Sequence, residues 1–221
     1  MERRIDETVR GAIAERLAEL RRLLAERPAP AVLPEREAAK RLLFEHTTSP
    51  ALRAHMLAVE AAMAAYARRL GGEEPRWRLA GLLHDLDYEQ NPDPARHPLV
   101  GCAVLARAGY PEDVIEAILG HASYTGVPRT SPMAKALYAV DELVGLLTAI
   151  AYVRPGGLAG LSWSSFQKKF KSPSFAAGVD RAEVLAGARE LGVQMPEHVA
   201  FVAAALQAAF PEFPRVPEAE G

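Results

Sequence analysis

Apolar residues recur along this chain at intervals of three and four, and no stretch alternates convincingly enough to read as a strand. The stripe Ile5, Val9, Ile13, Leu17, Leu20 and Leu24 predicts an amphipathic helix of about six turns. PAPAVLP at 28–34 ends it, because each proline removes an amide donor and disfavours helix in the residue before it. A second helix is expected over 35–46. Ser49-Pro50 supplies an N-cap followed by proline at the first helical position, and Leu52, Met56, Val59, Met63, Tyr66 and Leu70 run inward until Gly71-Gly72. Pro75 starts the next helix, which runs into LAGLLHDLDYE (79–89). Shorter helices are expected near 98–108 and 111–120. Ser131-Pro132 opens a long one, with Met133, Leu137, Val140, Val144 and Leu147 inward, and RPGG at 154–157 interrupts it. A basic segment, SSFQKKFK, follows. Asp180 and Glu183 then form a D-x-x-E capping box, and a last apolar helix begins at Pro196. The expectation is an all-α, irregular multi-helix bundle of eight to ten helices. Residues 1–34 would be an N-terminal helical extension, 35–155 the central domain, and 156–221 a C-terminal segment packed on it.

Composition narrows the classes. With 221 residues and 49% hydrophobic content the chain can bury one good core. A formal net charge of −2 gives no electrostatic case for general nucleic-acid or acidic-membrane binding. The single cysteine, Cys102, rules out an internal disulfide framework and a thiolate zinc site, and its setting is that of an inert core thiol. MERRIDETVR is charged with no apolar run behind it, so no signal peptide is read, and no run approaches the roughly 18 apolar residues of a membrane span. We expect a cytoplasmic protein.

The candidate chemistry lies where apolar helices carry residues they would not need for packing. Four of the six histidines, His55, His84, His97 and His121, lie on or beside the ends of such helices. Asp141 has Leu137, Tyr138, Val144 and Gly145 as its helical neighbours, so its carboxylate projects from a largely apolar face. An unpaired charge there costs several kcal/mol or is lost to protonation. Each residue has an ordinary explanation: a hydrogen-bonded core histidine, a cap, a turn acid. A metal ion accounts for His55, His84, Asp85 and Asp141 together, leaving His97 and His121 for a second ion. His46 and His198 read as surface residues.

The order H…HD…H…H…D resembles the HD-domain superfamily of metal-dependent phosphohydrolases, a helical fold named for the adjacent His-Asp pair. RAHMLAVE, GLLHDLDYE, RHPLVG, GHASYTGVP and ALYAVDEL carry the likeness over about 40–155. It is closest to small bacterial members known only as predicted hydrolases, and similar in ligand layout to the symmetrical dinucleoside-tetraphosphate hydrolases. The resemblance implies that His55, His84, Asp85 and Asp141 bind a first metal and that Asp85 bridges to a second held by His97 and His121. Imidazole and carboxylate donors suit one or two divalent transition metals (Fe, Mn, Co, Ni or Zn) and do not choose among them.

One departure matters. Many HD hydrolases carry a lysine three residues after the Asp; here that position is Tyr88, preceded by Asp87. Asp87 then has three readings: a carboxylate that orients a ligand histidine, a proton acceptor in catalysis beside Asp85, or a turn acid. Tyr124 and Thr125 are candidate substrate contacts, and Arg129, Lys168, Lys169 and Lys171 are candidate phosphate clamps. The implied activity is hydrolysis of a small phosphorylated molecule, a nucleotide foremost, through a metal-activated hydroxide. An HD-fold di-iron oxygenase, of the inositol oxygenase kind, uses the same ligands. A non-catalytic nucleotide-sensing module that keeps its metal for stability is the third reading. The 5–24 stripe could also pair with a copy of itself in a homodimer, against the alternative that it packs on its own core.

Overall fold

The computed structural model describes residues 5–28 and 32–216. The first four residues of MERRIDETVR, the middle of PAPAVLP and the Pro/Glu tail lie outside the described residues. The described residues form ten α-helices and one 3-10 turn, with no strand. They are α1 (Glu7–Glu26), α2 (Arg36–His46), α3 (Pro50–Leu70), α4 (Glu74–Leu83), α5 (Leu99–Arg107), α6 (Glu112–His121), α7 (Pro132–Tyr152), α8 (Trp163–Phe170), α9 (Arg181–Leu191) and α10 (Met195–Ala209). The turn, Ser123–Thr125, follows α6.

Local chemistry sets these boundaries much as expected. Ser49 and Ser131 accept from the amides of Leu52 and Ala134, so each proline-led helix begins with a donor already satisfied. Gly71 closes α3 in the left-handed conformation, φ 71°, where a Cβ would be strained. At α9 only half of the capping box forms. Asp180 Oδ1 accepts from Ala182 N, but Asp180 N donates to Glu142 Oε2 of α7 at 3.0 Å, and Glu183 turns elsewhere.

The long helices α3 and α7 form the middle of the molecule, with α4 and α10 against α3 and with α6 and α9 against α7. Two packings are close enough to need glycine. A Cβ on Gly81 of α4 would come within 2.9 Å of the Glu60 backbone on α3, and one on Gly187 of α9 within 2.6 Å of Ala139 Cα on α7. The N-terminal stripe is covered by the chain itself: Ile13, Leu17 and Leu20 are buried, α1 lies on α5, and Arg27 donates to the carbonyls of Ala106 and Tyr110. The basic segment is α8, whose Phe166 is buried between the rings of Trp163 and Phe170. Cys102 is fully buried, and burial pushes its thiol well up.

His198 corrects its reading as a surface residue. It is 0% exposed: its Nε2 donates to the Ala139 carbonyl at 2.9 Å, and its Nδ1 accepts from the Tyr66 hydroxyl at 2.6 Å. Glu197 beside it points to a surface position, but α3 and α7, far away along the chain, supply its surroundings.

Candidate metal centre

Helix ends and one helix middle bring the six predicted donors together. His55 stands in the second turn of α3, His84 caps the C-terminus of α4, and Asp85 follows it. His97 lies in the loop before α5, His121 is the last residue of α6, and Asp141 lies mid-way along α7. His84, His97 and His121 are buried and form the floor; Asp85, His55 and Asp141 keep 14, 21 and 22% of their side chains exposed, which opens the site on that side.

The distances describe two clusters sharing one carboxylate. His55 Nε2 is 3.0 Å from Asp141 Oδ1, and His84 Nε2 is 3.4 Å from that oxygen and 3.6 Å from Asp85 Oδ2. On the other side, His97 Nε2 and His121 Nε2 lie 3.3 and 3.6 Å from Asp85 Oδ1. Donor atoms sharing an ion at roughly 2.0–2.2 Å stand about 3.0–3.5 Å apart, so the spacing fits a common cation on each side. His55, His84 and Asp85 form one potential ligand group, and Asp85, His97 and His121 another.

The hydrogen bonds behind the rings decide which nitrogens face inward. His84 Nδ1 donates to the Gly81 carbonyl at 2.9 Å, and His121 Nδ1 to the Ile118 carbonyl at 2.5 Å, each three residues back in its own helix. That leaves the Nε2 lone pairs aimed at the carboxylates. For His84 the consequence is sharp. Its Nε2 is buried without a hydrogen-bond partner, a lone pair set before two carboxylate oxygens. Such an arrangement is repulsive unless positive charge lies between them.

The electrostatics agree. Burial pushes the His84 imidazolium down, but the nearby carboxylates of Asp85 and Asp141 outweigh it and raise its pKa to about 9. Burial alone would raise Asp85 and Asp141; the neighbouring imidazoles, His84 foremost, instead hold both below the usual carboxylate range. The pocket therefore keeps positive charge at its centre at neutral pH, on an imidazole where no ion supplies it.

The remaining candidates fall around this core. Asp87 is 3% exposed and sits behind His97: its Oδ1 accepts from His97 Nδ1 at 2.8 Å and its Oδ2 from Gly101 N at 2.7 Å. Both oxygens are thus turned to protein donors in a buried position. Tyr124 donates to the His97 carbonyl at 3.1 Å, and the buried Thr125 hydroxyl lies 2.9 Å from the carbonyls of Leu119 and Ala122. Both hydroxyls thus fix the loop around His121. Arg129 is bound by both Glu190 oxygens and the Gly120 carbonyl, with its guanidinium 3.7 Å from the centroid of the Tyr138 ring. Lys168 of α8 and Lys171 just beyond its end are exposed, and Lys169 lies over the Phe175 ring.

Two acids at the edge of the site escaped sequence reasoning. Glu183 accepts from the Ser123 hydroxyl at 3.0 Å, tying α9 to the turn beyond His121. Glu142 accepts from Asp180 N, and burial, then the neighbouring Asp141, raise its pKa to about 8. Glu142 had a visible signal, the second acid of ALYAVDEL; Glu183 was hidden by its place in a capping box.

A helical bundle whose facing helices present two imidazole-carboxylate groups around a shared aspartate offers the donor set that a divalent metal of the His/Asp class takes. Residues 52–144 match the family model described as HD domain, a family whose members are mostly metal-dependent hydrolases. The chain is also similar to ribonuclease Y of Oleidesulfovibrio alaskensis, at 29% identity over 144 residues. The match covers 63% of this chain and 26% of that protein, so the chain spans about a quarter of the relative's length. No solved structure matches it. Among the described residues, no helix is long and apolar enough to cross a membrane.

Proposed function

We propose that this chain is a metal-dependent phosphohydrolase acting on a small phosphorylated molecule, with nucleotides the leading substrate class. The observation that carries the reading is the buried His84 Nε2, held between Asp85 and Asp141 with no hydrogen-bond partner. His55, His84, Asp85 and Asp141 would hold one divalent ion, and Asp85, His97 and His121 a second. Ions bound there supply Lewis-acid charge for a phosphoryl group and lower the pKa of a water from 15.7 toward about 7.

The chain's own residues then have separable tasks. The backbone carbonyls of Gly81 and Ile118 orient two of the imidazoles before any ligand arrives, which lowers the cost of assembling the site. The exposed edge at Asp85, His55 and Asp141 admits the phosphoryl group, while the buried floor limits the water that enters with it. Two carboxylates against four neutral imidazoles leave a pair of dications net positive, so an anionic substrate is attracted without a lysine at position 88. Tyr88 is 41% exposed and meets the His97 ring edge-on at 5.1 Å, which makes it part of the rim.

The test is metal analysis of protein purified without added metal, followed by a panel of phosphomonoesters, nucleotides, dinucleoside polyphosphates and a short oligoribonucleotide. Turnover should require the ion, and Asp85→Ala should lose metal and activity together. No hydrolysis anywhere in the panel, with unchanged metal in Asp85→Ala, refutes the proposal. The likeness to ribonuclease Y favours an RNA phosphodiester as a second reading, against which the chain's net charge of −2 stands; the oligoribonucleotide arm decides it. Oxygen consumption by the iron-loaded protein would instead support the oxygenase reading.

A further inference from the structure

We propose that Asp87 is the positioning residue of the second half of the centre: it holds His97 with its proton on Nδ1 and its lone pair on Nε2, and filling of the Asp85–His97–His121 group depends on it. The inference rests on the metal reading above and deepens it.

His97 differs from the other two floor histidines in what can orient it. His84 and His121 each end a helix and use the carbonyl three residues back. His97 lies in the loop before α5, where its own backbone N–H bonds Asp93 O and its ring nitrogen bonds Asp87 instead of a backbone carbonyl. A side-chain acceptor does the work, and Asp87 supplies it. At 3% exposure its carboxylate needs both oxygens satisfied, and it has them: His97 Nδ1 at 2.8 Å and Gly101 N at 2.7 Å. Gly101 is what lets the carboxylate lie so close to α5, since a Cβ there would stand 3.1 Å from Asp87 Cγ and 3.2 Å from Oδ1. The far side of the ring is fixed as well, by the Tyr88 contact at 5.1 Å. What remains is Nε2, 3.3 Å from Asp85 Oδ1. An anionic acceptor on Nδ1 also makes Nε2 a better electron-pair donor.

Asparagine at this position separates positioning from packing. It has the same shape but only one oxygen. If that oxygen serves Gly101 N–H, the amide offers His97 an N–H, and Nδ1 must accept. The ring proton then moves to Nε2, where the lone pair is needed. Two readouts on the full-length chain follow: Mn(II) titration of metal-stripped protein, and side-chain nitrogen NMR of the His97 ring in the same metal-free protein. Wild type should bind two Mn(II) per chain and show the proton on Nδ1. Asp87→Asn should keep one ion at wild-type affinity, bind the other about 10–100-fold more weakly, and show the proton on Nε2. Gly101→Ala, which pushes on the same carboxylate, should also weaken only one ion, and it carries the test if Asp87→Asn does not fold.

An Asp87→Asn protein with both ions at wild-type affinity, or with the His97 proton still on Nδ1, overturns the proposal, as does a wild type that takes up only one ion. A wild type that binds no Mn(II) removes the metal centre and this proposal with it. Ions bound as expected without hydrolysis count against the phosphohydrolase alone and leave Asp87 in its role.

Discussion

At the scale of single residues, the site and the core use histidine in opposite ways. His84 is surrounded by carboxylates that favour its charge, whereas His198 is buried among groups that favour the neutral ring. Desolvation is the largest cause, and Arg69 adds to it; together they outweigh the Ala139 carbonyl and lower the His198 pKa from its ordinary 6.5. In the unfolded chain the ring takes a proton as pH falls through about 6.5, while the folded ring resists. Its contribution to stability is therefore complete above that value and is lost as pH falls toward the folded pKa, at no more than about 1.4 kcal/mol per pH unit. The expected outcome is a urea midpoint that falls more steeply between pH 7.5 and 5.5 for wild type than for His198→Gln, with the same metal present throughout. Parallel curves would show that His198 is not the neutral buried ring described here.

At the scale of elements, what could be read from the chain is what neighbours in sequence decide. The caps at Ser49, Ser131 and Asp180 and the stop at Gly71 are local, and each formed as a short-range pattern predicts. The six donors were also legible, because a histidine or aspartate on an apolar helical face is costly wherever the helix goes. Glu183 and His198 were not. Glu183 left its capping box for Ser123, 60 residues away, because Glu142 already satisfied the amide it would have bonded. His198 took its polar partners from α3 and α7. Neither choice leaves a trace in the local pattern. The same split applies to glycine. Gly11 of α1 has nothing within 4 Å of a built Cβ, so Gly11→Ala should stabilise the protein by about 0.4–1 kcal/mol through the unfolded chain. Gly81 lets α3 and α4 touch and lends its carbonyl to His84. Gly81→Ala should therefore cost about 1–3 kcal/mol and also weaken Mn(II) binding beside His84. Denaturant unfolding and metal titration of the two variants check both statements; an unperturbed metal affinity in Gly81→Ala would mean that the α3–α4 contact does not hold that ring.

At the scale of the whole molecule, the candidate metal centre would join helices that also meet through the core and through ion pairs such as Glu60–Arg78 and Arg76–Asp113. Its candidate ligands come from α3, the α4 end, the loop before α5, the α6 end and α7, while α9 braces the same region through Glu183 and the Glu142–Asp180 bond. The core itself runs from Ile13 of α1 through Leu206 of α10 to Phe213, so the outer helices share it with the central segment. An ion that binds only the folded arrangement then stabilises the entire unit. At a free concentration of 100 times its Kd the gain is about 2.7 kcal/mol per independent ion. For a chain of this size each kcal/mol moves the melting temperature by roughly 2–4 °C, so one ion should raise it by roughly 5–10 °C. Chelation should reverse the shift in a single transition, and Asp85→Ala should abolish it, because one carboxylate serves both ions. A melt that ignores chelator would mean that the four imidazoles and two carboxylates are held by packing alone. A full shift without turnover of any phosphoester would identify the centre as a structural tie, which is the behaviour of the sensing module.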